Sequence, residues 1–125
     1  MGTPTPQEIH TRFAAALNRG DLEALCELYE PEATIVPQPG QEPVQGLAGI
    51  RQVLQGFIAM RTRIDIETVW AVECGDTALL RSRHQLVGAG PDGSPIEMLG
   101  SGSAVLRRQA DGGWRYVIDH PWGAG

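Results

Sequence analysis

The spacing of hydrophobic residues changes near residue 63. Before it, apolar residues recur every three or four positions, and after it every second position. The helical part predicts three helices: one after the capping box Thr5–Glu8, a short one begun by Asp21 and ended by Pro31, and one after Gly46. The alternating part predicts strands at about 63–73, 77–88, 95–108 and 113–121, with a short strand at 33–36 ahead of the third helix.

Three helices followed by an antiparallel meander predict an α+β fold. The helices can pack only on one face of a strongly curved sheet. We therefore expect a single domain over residues 1–125, shaped as a cone of three N-terminal helices on a curved, mainly antiparallel sheet. The open end of such a cone is where a small ligand fits.

Alternation assigns a face to each residue of the central strands. In the strand at 77–88, Ser82 and His84 share the mostly apolar face, which should be concave, whereas Arg81 and Arg83 point outward. His84 is either a hydrogen-bonded structural histidine or a ligand contact.

The last strand ends in an aromatic face that carries an imidazole. Strict alternation places Trp114, Tyr116, Ile118, His120 and Trp122 on one face. An imidazole beside Trp122 suits a pocket wall better than a filled core, so Ile118, His120 and Trp122 are expected on the cavity wall. Asp119 then points to the opposite face. The pattern leaves a structural and a functional role for His120 equally open. His10, in the first turns of a helix, is expected at the surface.

Composition excludes several functions. The net charge of −5 argues against nucleic-acid binding, and no apolar run is long enough to cross a membrane. All ten basic residues are arginine, so lysine Schiff-base catalysis is excluded. Cys26 and Cys74 indicate reduced thiols in a cytoplasmic protein.

The remaining motifs suggest neither a cofactor nor a metal. Gly88–Gly93 matches G-x-G-x-x-G but lies between two predicted strands, which favours a hairpin loop over a dinucleotide site. The three histidines lack the spacing of metal ligands.

Segments spread over nearly the whole chain resemble the nuclear transport factor 2-like superfamily, in its SnoaL-like and ketosteroid-isomerase-like branch. The tail is most similar to small members of the SgcJ/EcaC type. The segments that carry the resemblance are Phe13–Leu22, Leu28–Thr34, Val44–Arg51, Val105–Arg108 and Asp111–Tyr116. The resemblance implies a cystatin-like cone with a deep cavity, and a homodimer built on the convex face of the sheet.

The resemblance does not extend to the acid–base residues of ketosteroid isomerase, which uses an aspartate base with a tyrosine and a protonated aspartate as donors. The tyrosine position corresponds to Phe13 and the base to Pro37. The second acid falls within Ser103–Val105, where there is no carboxylate. Ketosteroid isomerisation is therefore not expected.

The leading hypothesis is cofactor-independent proton transfer on an apolar oxygenated molecule: isomerisation, cyclisation, dehydration or hydration. His120 and His84 are the predicted acid or base, since imidazole titrates near neutral pH. The predicted substrate-binding residues are Phe13, Tyr29, Gln38, Phe57, Met60, Ser82, Ile118 and Trp122. The alternative is a non-catalytic ligand-binding or dimeric association domain.

Overall fold

The computed structural model describes residues 3–38 and 40–123. Its helices are α1 (Glu8–Asn18), α2 (Leu22–Cys26) and α3 (Leu47–Ala59). Its strands are β1 (Tyr29–Ile35), β2 (Val44–Gln45), β3 (Arg63–Cys74), β4 (Thr77–Ala89), β5 (Pro95–Arg108) and β6 (Trp114–His120).

These strands form one curved sheet in the order β2-β1-β6-β5-β4-β3. Strands β3 to β6 are the predicted antiparallel meander, and all four lie within one or two residues of the predicted ranges. Strand β1 adds to the meander by pairing in parallel with β6, and the two-residue β2, which the sequence did not predict, pairs with β1. The fold class is α+β, as predicted.

The residues predicted to begin the helices were correct for α2 and α3 but not for α1. The Asp21 carboxylate accepts a hydrogen bond from the Ala24 amide at 3.1 Å and caps α2. The helix after Gly46 is α3. At α1, however, no side chain caps the helix, and a backbone bond from the Glu8 amide to the Thr5 carbonyl makes the first turn instead. The capping-box prediction for Thr5–Glu8 was therefore wrong.

The side chain of Asn18 joins helix α1 to the backbone of β3. The Asn18 amide nitrogen donates to the Ile64 carbonyl at 3.0 Å, and its oxygen accepts from the Ile64 amide at 2.8 Å. The two hydrogen bonds resemble those that a neighbouring strand residue would make with Ile64. They hold the apolar face of α1 over the sheet. Buried residues of α1, α3 and the inward sheet face form one core, among them Ile9, Leu54, Leu80 and Leu106.

A bulge in β6 reverses the face of its last residues. Leu106 pairs with Tyr116, but the preceding Val105 pairs with Ile118, so Val117 is an extra residue on β6. Beyond it, Ile118 is 44% exposed and Asp119 is 8% exposed. Strict alternation was therefore wrong over residues 118–120, and it is Asp119 that faces the helices.

Candidate functional site

A small cavity lies between the helices and the concave face of the sheet. Its volume is about 50 Å³, several times the roughly 10–15 Å³ that one buried water needs. Most of its wall is apolar. The lining residues are His10, Phe13, Leu17, Phe57, Ile64, Ile66, Ser82, His84, Leu86, Gly102, Ser103, Ala104, Tyr116, Asp119, Pro121 and Trp122.

The carboxyl group of Asp119 lies in this wall and is removed from solvent. Burial raises its pKa from an ordinary 3.8 to about 6, and a hydrogen bond from Tyr29 acts in the opposite direction. A carboxyl group with such a pKa is present in both protonation states near neutral pH. It can therefore accept a proton and return it.

Tyr29 supports Asp119 from the protein side, and Tyr116 packs against Tyr29. The Tyr29 hydroxyl donates to Asp119 Oδ2 at 2.6 Å, and the Tyr29 and Tyr116 rings lie 4.8 Å apart. Burial and the nearby Asp119 carboxylate raise the pKa of both phenols well above 10. Both tyrosines are therefore hydrogen-bond donors at any physiological pH, and only Tyr116 of the two lines the cavity.

Two buried histidines occupy another part of the wall. His10 is 5% exposed, and its Nδ1 lies 2.6 Å from Thr68 Oγ1. Burial and the neighbouring His84 lower the pKa of His10 to about 4. Burial also lowers the pKa of His84, whose ring packs edge-to-face against Trp122 at 5.0 Å. Both imidazoles are therefore mainly neutral near pH 7.

The strand register fixes how these polar groups are spaced. Asp119 lies in an inward row with Ala104 and Leu80, while Ser82 and His84 occupy the next two inward rows of β4. Each inward row advances two residues, or about 7 Å along the strand. Asp119 and His84 are thus two inward rows apart, with Ser82 in the row between them, and the wall continues one row past His84 to Leu86 and Ile64.

Five of the predicted site residues line this cavity: Phe13, Phe57, Ser82, His84 and Trp122. The inward assignment of Ser82 and His84 was correct because β4 is regular, and both are 8% exposed.

The other five predicted site residues lie outside the cavity wall. Ile118 and His120 are on the convex face, since the Val117 bulge reverses the end of β6. Tyr29 is behind Asp119, because β1 begins earlier than predicted. Gln38 is exposed in the loop after β1, and Met60 caps the end of α3. The placement of Ile118 and His120 on the cavity wall was therefore wrong. Tyr29, Gln38 and Met60, predicted as ligand contacts, are not among the residues that line this cavity.

Sequence reasoning missed His10 and Asp119. The signal for His10 was available, since it precedes Phe13 by three residues and Leu17 by seven and so shares their helix face. Its assignment to the surface was wrong. For Asp119 no comparable signal exists, because alternation alone places it outward.

Two features of the described residues 3–38 and 40–123 bear on other kinds of site. No three of their His, Cys, Asp and Glu side chains are grouped so as to hold a metal ion. None of their helices is long and apolar enough to cross a membrane.

A curved sheet with helices over its concave face and a small, mostly apolar cavity between them defines a cone-shaped α+β domain. The sequence profile of the SnoaL-like domain matches residues 10–117. The chain belongs to this family, the SnoaL-like branch of the nuclear transport factor 2-like superfamily.

Solved structures share this fold over nearly the whole chain. A ketosteroid isomerase-like protein from Erwinia carotovora atroseptica has a TM-score of 0.78 and 18% identity, covering 93% of this chain and 95% of its own. A candidate dehydratase of the same superfamily from Streptomyces avermitilis has a TM-score of 0.74 and 24% identity, covering 93% of each chain. A candidate calcium/calmodulin-dependent protein kinase type II association domain from Thiobacillus denitrificans has a TM-score of 0.77 and 22% identity, covering 96% and 95%. At these identities the likeness establishes the fold.

Proposed function

We propose that the protein catalyses cofactor-independent proton transfer on an apolar, oxygen-bearing small molecule held in the cavity. The reaction class is isomerisation, cyclisation, dehydration or hydration. The observation that carries this proposal is the buried Asp119 carboxyl group. It lies in the mostly apolar wall of the cavity and has a pKa of about 6. The enclosed volume of about 50 Å³ admits only the apolar end of a substrate, which would pack against Phe13 and Phe57.

In this proposal Asp119 takes the part that sequence reasoning gave to His120. Tyr29 binds Oδ2 from behind, which leaves Oδ1 to meet the ligand. Ser82 and Tyr116 supply hydroxyl groups that would hold a substrate oxygen where negative charge develops. His84, neutral and farther along the cavity, would orient the ligand by a hydrogen bond.

Ring opening of 5-nitrobenzisoxazole tests for such a base. A carboxylate removes the ring C–H proton, the N–O bond breaks, and a coloured nitrophenolate with a nitrile group forms. We expect the rate to rise with pH through an inflection near the Asp119 pKa of about 6, and Asp119→Asn to lower it by about 100-fold or more.

The control is Glu42→Gln, which removes an exposed carboxylate from the loop before β2. It should leave the rate unchanged. A wild-type rate no higher than that of an equal concentration of acetate, or an undiminished rate in Asp119→Asn, would contradict the proposal.

The second candidate is a non-catalytic, dimeric ligand-binding or association domain, and the convex face of the sheet favours it. Val72, Leu79, Val105 and Ile118 are direct partners across four strands and form an apolar row. Val72, Leu79 and Ile118 are 58%, 43% and 44% exposed. An apolar row that is exposed in the single chain is typical of a surface that a partner covers.

We propose that a second copy of the chain covers this row, whether or not the cavity is catalytic. Leu79→Asp would place a charge at the centre of the row, and we expect it to convert a dimer into a folded monomer. Light scattering after size exclusion measures the mass, and Glu42→Gln is again the control. A monomeric wild type at micromolar concentration, or a dimeric Leu79→Asp, would rule this interface out.

A further inference from the structure

The cavity is too small to enclose a whole organic ligand. A dry protein cavity of about 150 Å³ binds a single benzene ring, whereas this cavity measures about 50 Å³. It therefore takes only the end of a substrate, and the remainder must lie where part of the wall now stands. Part of the wall must move when a larger ligand binds.

One part of the described wall lies outside the helices and strands. Pro121 and Trp122 belong to the turn after β6, while every other lining residue is in a helix or a strand. Pairing between β6 and β5 ends at His120, and Pro121 has no amide hydrogen with which to continue it. Residues 121–123, here called the cover, are therefore the least constrained stretch of the wall.

Few polar contacts hold the cover in place. Trp122 Nε1 donates to the Pro37 carbonyl at 3.2 Å, in the loop after β1. The Ser103 hydroxyl donates to the Gly123 carbonyl at 3.4 Å, whereas the bond from the Gly123 amide to the His120 carbonyl lies within the turn itself. Lifting the cover from the described chain thus breaks two hydrogen bonds and no strand pairing.

Beneath the cover, the inward face of β5 has two positions without a side chain. Gly100 pairs with His84 and faces inward beside it. A Cβ on Gly100 would lie 2.7 Å from His84 Cε1 and 2.9 Å from Trp122 Cε3. A Cβ on Gly102 would lie 2.9 Å from the Pro121 Cα. The cover therefore lies directly on the backbone of β5, in a trough that side chains would otherwise fill.

We propose that the cover lifts when a ligand binds, and that the trough beneath it takes a flat, apolar part of that ligand. The trough suits such a group because its floor is bare backbone and an indole ring now fills it. His84 adds a flat side wall, and the Pro37 carbonyl accepts a hydrogen bond at the rim. The inference rests on the cavity of the proposed function being the ligand site, but it requires no proton transfer.

Binding of 1-indanone tests whether the cover lifts. This molecule is flat and mostly apolar, carries one oxygen and is larger than the closed cavity. NMR of the isotope-labelled protein reads the indole N–H signals. Saturating 1-indanone should raise the hydrogen-exchange rate of the Trp122 Nε1–H by about tenfold or more, because its bond to Pro37 breaks. The indole signal of Trp70, which is 41% exposed on the convex face, should not change.

Two variants should change the affinity for 1-indanone in opposite directions. Trp122→Phe keeps a ring over the trough but loses the bond to Pro37, so the cover lifts more readily and the affinity should rise about fivefold. Gly100→Ala places a methyl group in the floor of the trough and should lower the affinity by about tenfold or more. The controls are Trp70→Phe on the convex face and Gly56→Ala, since a Cβ on Gly56 meets nothing within 4 Å. Both controls should bind as the wild type does.

A Trp122 signal that is unchanged or better protected with bound 1-indanone would overturn the inference. So would a wild type that does not bind 1-indanone at millimolar concentration, or a folded Gly100→Ala with wild-type affinity. The exchange measurement needs no variant, so it decides the outcome even if Gly100→Ala does not fold. A cover that lifts in a protein without proton transfer would refute only the proposed function. Ring opening that depends on Asp119 while Trp122 stays in place would refute only the movement of the cover.

Discussion

Asp119→Asn is expected to stabilise the folded protein near neutral pH. Burial raises the pKa of Asp119 from 3.8 to about 6, so the folded state favours the protonated carboxyl. The stability that this preference contributes is complete below pH 3.8 and is lost as the pH rises through about 6. Each tenfold change in proton affinity corresponds to about 1.4 kcal/mol, so the buried carboxylate costs about 3 kcal/mol at about pH 8.

Asparagine has the same shape and carries no charge, and its side-chain oxygen can still accept the hydrogen bond from Tyr29. We therefore expect the free energy of unfolding to increase by about 1–3 kcal/mol at about pH 8 and by little at about pH 3.5. Urea denaturation at both pH values measures this, with Glu42→Gln changing stability by less than about 0.5 kcal/mol at either. A loss of stability at both pH values would show that the ionised Asp119 carboxylate does not destabilise the folded state. A gain together with lost activity would mark it as a residue kept for function.

Acidification is expected to destabilise the protein through His10. Its pKa falls from an ordinary 6.5 to about 4, first because it is buried and then because His84 is close. The folded state favours neutral His10, so this contribution is complete above pH 6.5 and is lost as the pH falls toward 4. The difference between the two pKa values corresponds to about 3 kcal/mol in the free energy of unfolding.

His10→Asn tests this, because the asparagine side chain places an amide where Nδ1 meets Thr68 Oγ1. Between about pH 7 and about pH 4 the free energy of unfolding of the wild type should fall by up to about 3 kcal/mol more than that of the variant. In Thr68→Val the hydrogen bond is absent but burial remains. NMR titration should therefore still find a low pKa for His10 in that variant, and a pKa near 6.5 would instead assign the shift to the lost bond.

Asp119 and His10 act in opposite directions over the same range. As the pH falls from about 6 to about 4, Asp119 adds stability and His10 removes it. The wild type should therefore show a shallow pH dependence in this range. The two single variants should reveal slopes of opposite sign.

Local chemistry determined most of the fold. The change from helical to alternating spacing located α1, α3 and the four long strands, because a half-buried element must repeat with the period of its own backbone. Asp21 determined the start of α2 by capping it. Strand β2 and the early start of β1 were not predictable. They exist because β6 and β1 offer them hydrogen-bond partners from distant parts of the chain.

The candidate site divides in the same way. Ser82 and His84 could be placed on the cavity wall from sequence alone, since β4 is regular along its length. Asp119 and His120 could not, because the extra residue at Val117 arises from how β6 pairs with β5. Alternation is a local property, but a bulge depends on the register between two strands, and one inserted residue exchanges the two faces. The sequence by itself thus determined a cone with a cavity, and only the tertiary structure decided which ionisable groups face it and with what pKa.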